Sequence, residues 1–272
     1  MADWSLVIFT IFMQGAVGIY LWSAIAKLRN KQGDYSTVSL VALIMAAVGM
    51  ITSLLHLGVP LKAMYSVLNL GGSWLSREIL LSSGFFFLVL VDFIVIKRGT
   101  KGNISTVLNW VAVGVGLLAV FSMAKIYMSG VIPAWESWNT LIDFYAATIL
   151  LGGLLFVILT LGKEQSDQHR MIIISMAGVI LLQAALYPSF LVGLSAGNSA
   201  AQSSAVLLSE AYGVAMAARW LLILGGAFLL ILSQVIKNKN ISYVYFGATA
   251  LVIGIVIGRY LFYAAGLVLG IG

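Results

Sequence analysis

The sequence predicts an all-α integral membrane protein: a bundle of eight transmembrane helices with both termini on the outer, periplasmic side. Three observations carry this reading. The 272 residues are 61% hydrophobic and only 9% charged, against about a quarter charged in soluble domains. The apolar runs reach the ~20 residues that a helix needs to cross a bilayer. They are continuous rather than alternating, which argues against a closed barrel, the other structure that satisfies its backbone inside lipid.

Charges and Gly, Pro and Asn punctuation divide the chain into segments of roughly 4–26, 37–58, 77–96, 104–126, 139–161, 171–194, 211–236 and 243–268. The first has no basic stretch before it and runs too long for a cleavable signal, so it is a retained helix. The second stops before Pro60. The third follows Asn69-Leu-Gly-Gly, with Ser76 as its candidate cap, and stops at Lys97-Arg98. The fourth lies between Gly102 and Gly130, and the fifth between Trp138 and Gly162. The sixth follows the polar stretch 162–170, and the last two flank the polar stretch 237–240. Connections are short except 59–76 and 195–210. No internal repeat and no soluble domain interrupts the pattern, so residues 1–272 read as one polytopic membrane domain.

Basic residues set the orientation. After the first, third, fifth and seventh segments stand Lys27, Arg29, Lys31, Lys97, Arg98, Lys101, Lys163, Arg170, Lys237 and Lys239. The opposite side holds Lys62, Arg77 and Lys125. The first group belongs on the cytoplasmic side. Trp4, Trp74, Trp135 and Trp138 then fall near the outer interface, where indole rings settle. The net charge of +6 is thus a topology signal rather than a nucleic-acid surface. The compartment this implies is the cytoplasmic (inner) membrane of a bacterium.

The absence of cysteine removes thiolate chemistry and cysteine-ligated iron–sulfur clusters from this chain. The two histidines, His56 and His169, are predicted on opposite sides of the membrane and so cannot share one haem. No metal-ligand pattern appears either. Redox work by such a chain requires a diffusible lipid carrier and a partner's cofactors. A quinol fits, because it lives in the bilayer and must lose two protons on oxidation.

The groups for that step stand close together. His56 ends the second segment and Glu78 opens the third, at similar predicted depth on the outer side. An imidazole can accept a proton and pass it on near neutral pH. The plainer reading is a rim histidine bonded to a carbonyl. Glu78 likewise has a plainer reading, as a carboxylate in the first turn of a helix capped by Ser76. Asn69 and Ser73 shape a turn. Residues 61–68 can form a short interfacial helix that turns Tyr65 toward polar groups. Lys125, Asp143, Arg219 and Arg259 lie at or inside apolar segments, where charges are normally paired. Asp143 can pair with Lys125 or Arg219. Asp92 reads as an inner-rim residue and His169 as a solvated loop residue.

The stretches Ser53-Leu-Leu-His56-Leu-Gly58-Val-Pro60 and Leu75-Ser76-Arg-Glu78-Ile79, with Ala63 and Asn69 between them, resemble the dimethyl sulfoxide reductase membrane anchor subunits, the DmsC family. Lys125-Ile-Tyr127 with Pro133-Ala-Trp135 and Trp138, Tyr212-Gly213 with Arg219, and Ile257-Gly258-Arg259 with Phe262-Tyr263 extend the resemblance along nearly the whole chain. It implies an anchor that oxidises menaquinol, an iron–sulfur subunit bearing [4Fe-4S] clusters, and a catalytic subunit holding a molybdenum bis-pterin cofactor. The family's functional histidine and glutamate correspond to His56 and Glu78. Two departures stand out: Lys125 replaces an expected arginine, and no carboxylate precedes Arg259 in the last helix.

The expected site therefore comprises His56 as general base and Glu78 as proton relay, with Lys62, Tyr65 and Asn69 around the quinol. The iron–sulfur partner is expected over the outer loops 59–76, 127–138 and 195–210. Three alternatives are an anchor of a polysulfide or nitrite reductase-type complex, a solute transporter, and a purely structural anchor with His56 and Glu78 as rim residues. The paired broken helices of many transporters are not evident.

Overall fold

The computed structural model describes residues 4–30, 33–55, 69–99, 102–162, 166–236 and 241–266. Its long helices are α1 (Trp4–Arg29), α2 (Ser36–Leu55), α3 (Trp74–Lys97), α4 (Asn103–Met128), α5 (Trp138–Leu159), α6 (Ser166–Ser195), α8 (Gly213–Val235) and α9 (Ile241–Ala264). Between α6 and α8 lie a short helix, α7 (Ser199–Val206), and a π turn, Leu207–Ala211. All eight long helices are long and apolar enough to cross a membrane. The shortest has 20 residues, which at 1.5 Å rise per residue matches a hydrocarbon core of about 30 Å. Among the described residues there is no strand.

Helix α1 is the hub, with sixteen of its 26 residues buried. It packs against α2, α4 and α5 and touches α9. Lipid tails are as apolar as leucine, so helices associate by close packing, and small residues permit it. At the α1–α5 crossing, a Cβ placed on Gly18 would overlap the carbonyl oxygen of Thr148, and one on Gly152 would overlap the backbone of Gly18. The α8–α9 crossing uses the same device: a Cβ on Gly226 would lie 2.7 Å from the Gly247 carbonyl oxygen. One core of apolar side chains runs through these contacts, with Met13, Ile19, Phe85, Phe144, Leu154 and Met176 among its largest fully buried members.

The sequence boundaries are corrected at three places. Helix α3 begins at Trp74, not 77, because its cap is Ser73, whose Oγ accepts from the Ser76 amide at 3.3 Å. Helix α6 begins at Ser166, five residues before its apolar run, and continues through Pro188. The stretch expected as the connection 195–210 is largely helical, opened by Asn198, whose side chain accepts from the Ala201 amide. The expected ends of the second and last segments, 58 and 268, lie outside the described residues.

Candidate functional site

Of the five residues expected to form the site, Asn69 and Glu78 are described; His56, Lys62 and Tyr65 lie outside the described residues. Asn69 is exposed in the turn before α3, and its carbonyl accepts from the Ser73 amide at 3.1 Å. Arg77 ties that turn down. Its Nε donates to the Leu70 carbonyl at 2.8 Å and its second terminal nitrogen to the Gly71 carbonyl at 2.7 Å. Its guanidinium also lies 4.2 Å from the Trp74 ring centroid.

With Trp74 as the first helical residue, Glu78 is the fifth. It therefore stands one turn further in than expected, where the helix-end field has largely faded. It is buried, with 4% of its surface exposed. Among the described residues it makes no hydrogen bond and no ion pair, and the cap of its helix is Ser73. A carboxyl group in an apolar bundle is costly and usually has work to do.

Glu78 acts electrostatically on Tyr127 and Tyr263. Their hydroxyl oxygens are 3.0 Å apart, and either can donate. Thr10 of α1 lies beside the Tyr263 hydroxyl, its own hydroxyl donating to the Leu6 carbonyl at 2.9 Å. Around the tyrosines Trp135, Phe144 and Phe262 form an aromatic cluster with ring centroids 5.1–5.7 Å from that of Tyr127. The Trp135 indole donates to the Phe262 carbonyl at 2.7 Å. Thus α4, α5, α9 and the 129–137 segment are fixed to one another beside Glu78. The sequence singled out Tyr127 and Tyr263 only by resemblance; their approach across 136 residues has no local signal.

Near this cluster lie two buried arginines. The structure settles the pairing of Asp143: its Oδ1 accepts from Arg219 at 2.9 Å and from the Gln183 amide at 2.7 Å. Lys125 instead lies 5.8 Å from the Trp74 ring. Arg259 donates to Gln14 Oε1 at 2.8 Å and lies 4.1 Å from the Phe144 ring centroid. Gln14, an amide inside the apolar run of α1, was missed; a lone polar group there was the available signal. Gly258 makes room for Arg219, since a Cβ at 258 would sit 2.6 Å from its Nε.

The opposite end of the bundle holds a second network, and it corrects three expectations. Asp92 is fully buried rather than an inner-rim residue. It accepts from Ser105 at 2.6 Å and Tyr20 at 2.8 Å, and pairs with Lys27 at 3.3 Å. Lys27, counted with the loops, is therefore inside the bundle and carries no topological vote. His169 is buried at the start of α6, with its Nε2 2.7 Å from the Thr160 hydroxyl. Among the described residues no three His, Cys, Asp or Glu side chains group as a metal site.

A family model described as DMSO reductase anchor subunit (DmsC) matches residues 1–267. The chain is 30% identical to the C subunit of the anaerobic dimethyl sulfoxide reductase of Haemophilus influenzae, over 97% of its own length and 95% of that protein's. It is 27% identical to the Escherichia coli K12 protein of the same name, over 98% and 96% of the two lengths. The identity to a second Escherichia coli anaerobic dimethyl sulfoxide reductase subunit, YnfH, is also 27%, over 98% and 96%.

Proposed function

The chain belongs to the DMSO reductase anchor subunit (DmsC) family, and from that premise we propose that it oxidises menaquinol and passes the electrons to an iron–sulfur subunit. A membrane anchor subunit of an anaerobic DMSO reductase complex, itself an oxidoreductase, has catalytic and electron-transfer partners. The catalytic partner is the molybdenum subunit, and the iron–sulfur subunit docks on the outer face of the inner membrane, over the bundle end that carries Glu78.

The observation that carries the quinol reading is Glu78: a buried carboxyl with no hydrogen bond among the described residues, beside a hydroxyl pair, in a chain without cysteine. Menaquinol loses two electrons and two protons to become menaquinone. His56 takes a hydroxyl proton as general base, and Glu78 relays a proton toward the outer water. Lys62, Tyr65 and Asn69 orient the quinol oxygens. The electrons leave for the partner's [4Fe-4S] clusters on the same side, so the step generates little membrane potential.

The test is steady-state DMSO reduction by intact complex in membranes, driven either by a menaquinol analogue or by an artificial donor that bypasses the anchor. Glu78→Gln is expected to lose the quinol-driven rate by at least tenfold and keep the artificial one. Equal rates with both donors would remove Glu78 from the reaction.

A further inference from the structure

The Arg219–Arg259 region holds more donors and more positive charge than its protein partners answer. Among the described residues two guanidinium cations face one carboxylate, Asp143, whose Oδ1 already accepts from both Arg219 and Gln183. Arg259 is 97% buried, with 3% of its surface exposed. Among the described residues its Nε and first terminal nitrogen have no hydrogen-bond partner, nor do the Nε of Arg219 and the amide nitrogen of Gln14. All four orphaned atoms are donors. The Phe144 ring at 4.1 Å covers a face of the Arg259 guanidinium and offers its N–H edge no acceptor.

The two arginines line a common cavity of about 20 Å³ together with Asp143 and Gln183, which are already bonded to each other, and the apolar Leu150, Ile223 and Ile255. A water needs roughly 10–15 Å³, so the space suits one monoatomic ion or one water. A second cavity of about 30 Å³ shares Asp143, Arg219 and Gly258 with it and reaches Asn139 and Phe190. Those two residues also line a cleft of about 500 Å³ beside Glu136 and Asn198, at the same bundle end as Glu78. The cavities therefore form a series leading from the arginines toward that end.

We propose that Arg219 and Arg259 hold a small monovalent anion of chloride size between α5, α8 and α9. A water in that place would accept from the orphaned arginine donors but leave a buried cation uncompensated, which is costly in an apolar bundle. An anion answers both deficits. The site does not depend on the quinol reading.

The test uses the intact complex, exchanged at constant ionic strength between gluconate, which is too large for the cavity, and chloride or bromide. Ligand binding to the folded state raises its stability with ligand concentration, so the thermal midpoint of the anchor chain is expected to rise with the logarithm of halide concentration. Crystals grown in bromide are expected to show an anomalous peak between the two guanidinium groups. Gln14→Glu places a carboxylate at Arg259 and is expected to abolish the halide dependence while keeping the midpoint in gluconate at or above the parent value. Arg259→Gln is expected to lose the bromide peak; if that variant does not assemble, Gln14→Glu still decides. The absence of a bromide peak in the parent complex, or an undiminished halide dependence in Gln14→Glu, overturns the site.

Discussion

Replacing Asp143 by leucine probes the balance of charge inside the bundle. The Asp143 and Arg219 side chains are 12% and 8% exposed and meet at 2.9 Å, so the screening that makes exposed pairs worth about 1 kcal/mol or less is missing. Removing one member of a buried pair costs about 3–5 kcal/mol, because the other charge is stranded. The Gln183 amide also loses its 2.7 Å acceptor, adding about 1 kcal/mol. Asp143→Leu should therefore destabilise by about 4 kcal/mol or more. Arg219→Met should cost less, since Arg259 is close enough to act on the stranded Asp143 carboxylate, whereas the aspartate variant leaves two cations together. The double variant should cost less than the sum of the singles by at least about 2 kcal/mol. Reversible unfolding in mixed micelles with increasing SDS measures all three. A cost below about 1 kcal/mol for Asp143→Leu, or strict additivity of the two singles, would refute the pairing argument.

Four further substitutions test other parts of the fold. Gly18→Ala should force α1 and α5 apart, because the new methyl meets backbone rather than a flexible side chain; a loss at or above the usual 1–3 kcal/mol for overpacking is expected in the same assay. Asp92→Leu strands Lys27 and should cost about 3–5 kcal/mol. Tyr20→Phe removes one of several donors to Asp92 and should cost about 1 kcal/mol; thermal unfolding that reverses this order would contradict the network. Ser73→Ala should loosen the start of α3 by about 1 kcal/mol, seen as faster amide exchange at Ser76 and Arg77.

The eight spans were legible because lipid demands long apolar runs and the chain supplies little else. The errors fall where polar residues join a helix. Ser73 and Ser76 are both competent caps, and only the observed Ser73 Oγ contact with the Ser76 amide separates them. The residues at 166–170 read as loop because they are polar, yet His169 turns inward to Thr160. Helix α7, Ser-Ala-Ala-Gln-Ser-Ser-Ala-Val, is too weakly apolar to register as a span. Pairings across the bundle were illegible for a different reason. Asp143 meets Arg219 across 76 residues, and Arg259 meets Gln14 across 245, separations that no local pattern encodes. Glu78 was singled out by its type and its place beside a segment end, but its depth depends on where α3 begins.

The central claim is that quinol is oxidised at His56 and Glu78. It is tested most directly by rapidly mixing a menaquinol analogue with intact complex and following reduction of the partner's iron–sulfur clusters. His56→Ala and Glu78→Gln are compared with the parent, with assembly verified and an artificial donor as control. Both variants are expected to assemble and accept electrons from the artificial donor, while reduction by quinol is lost. Cluster reduction by quinol at the parent rate in both variants would contradict it.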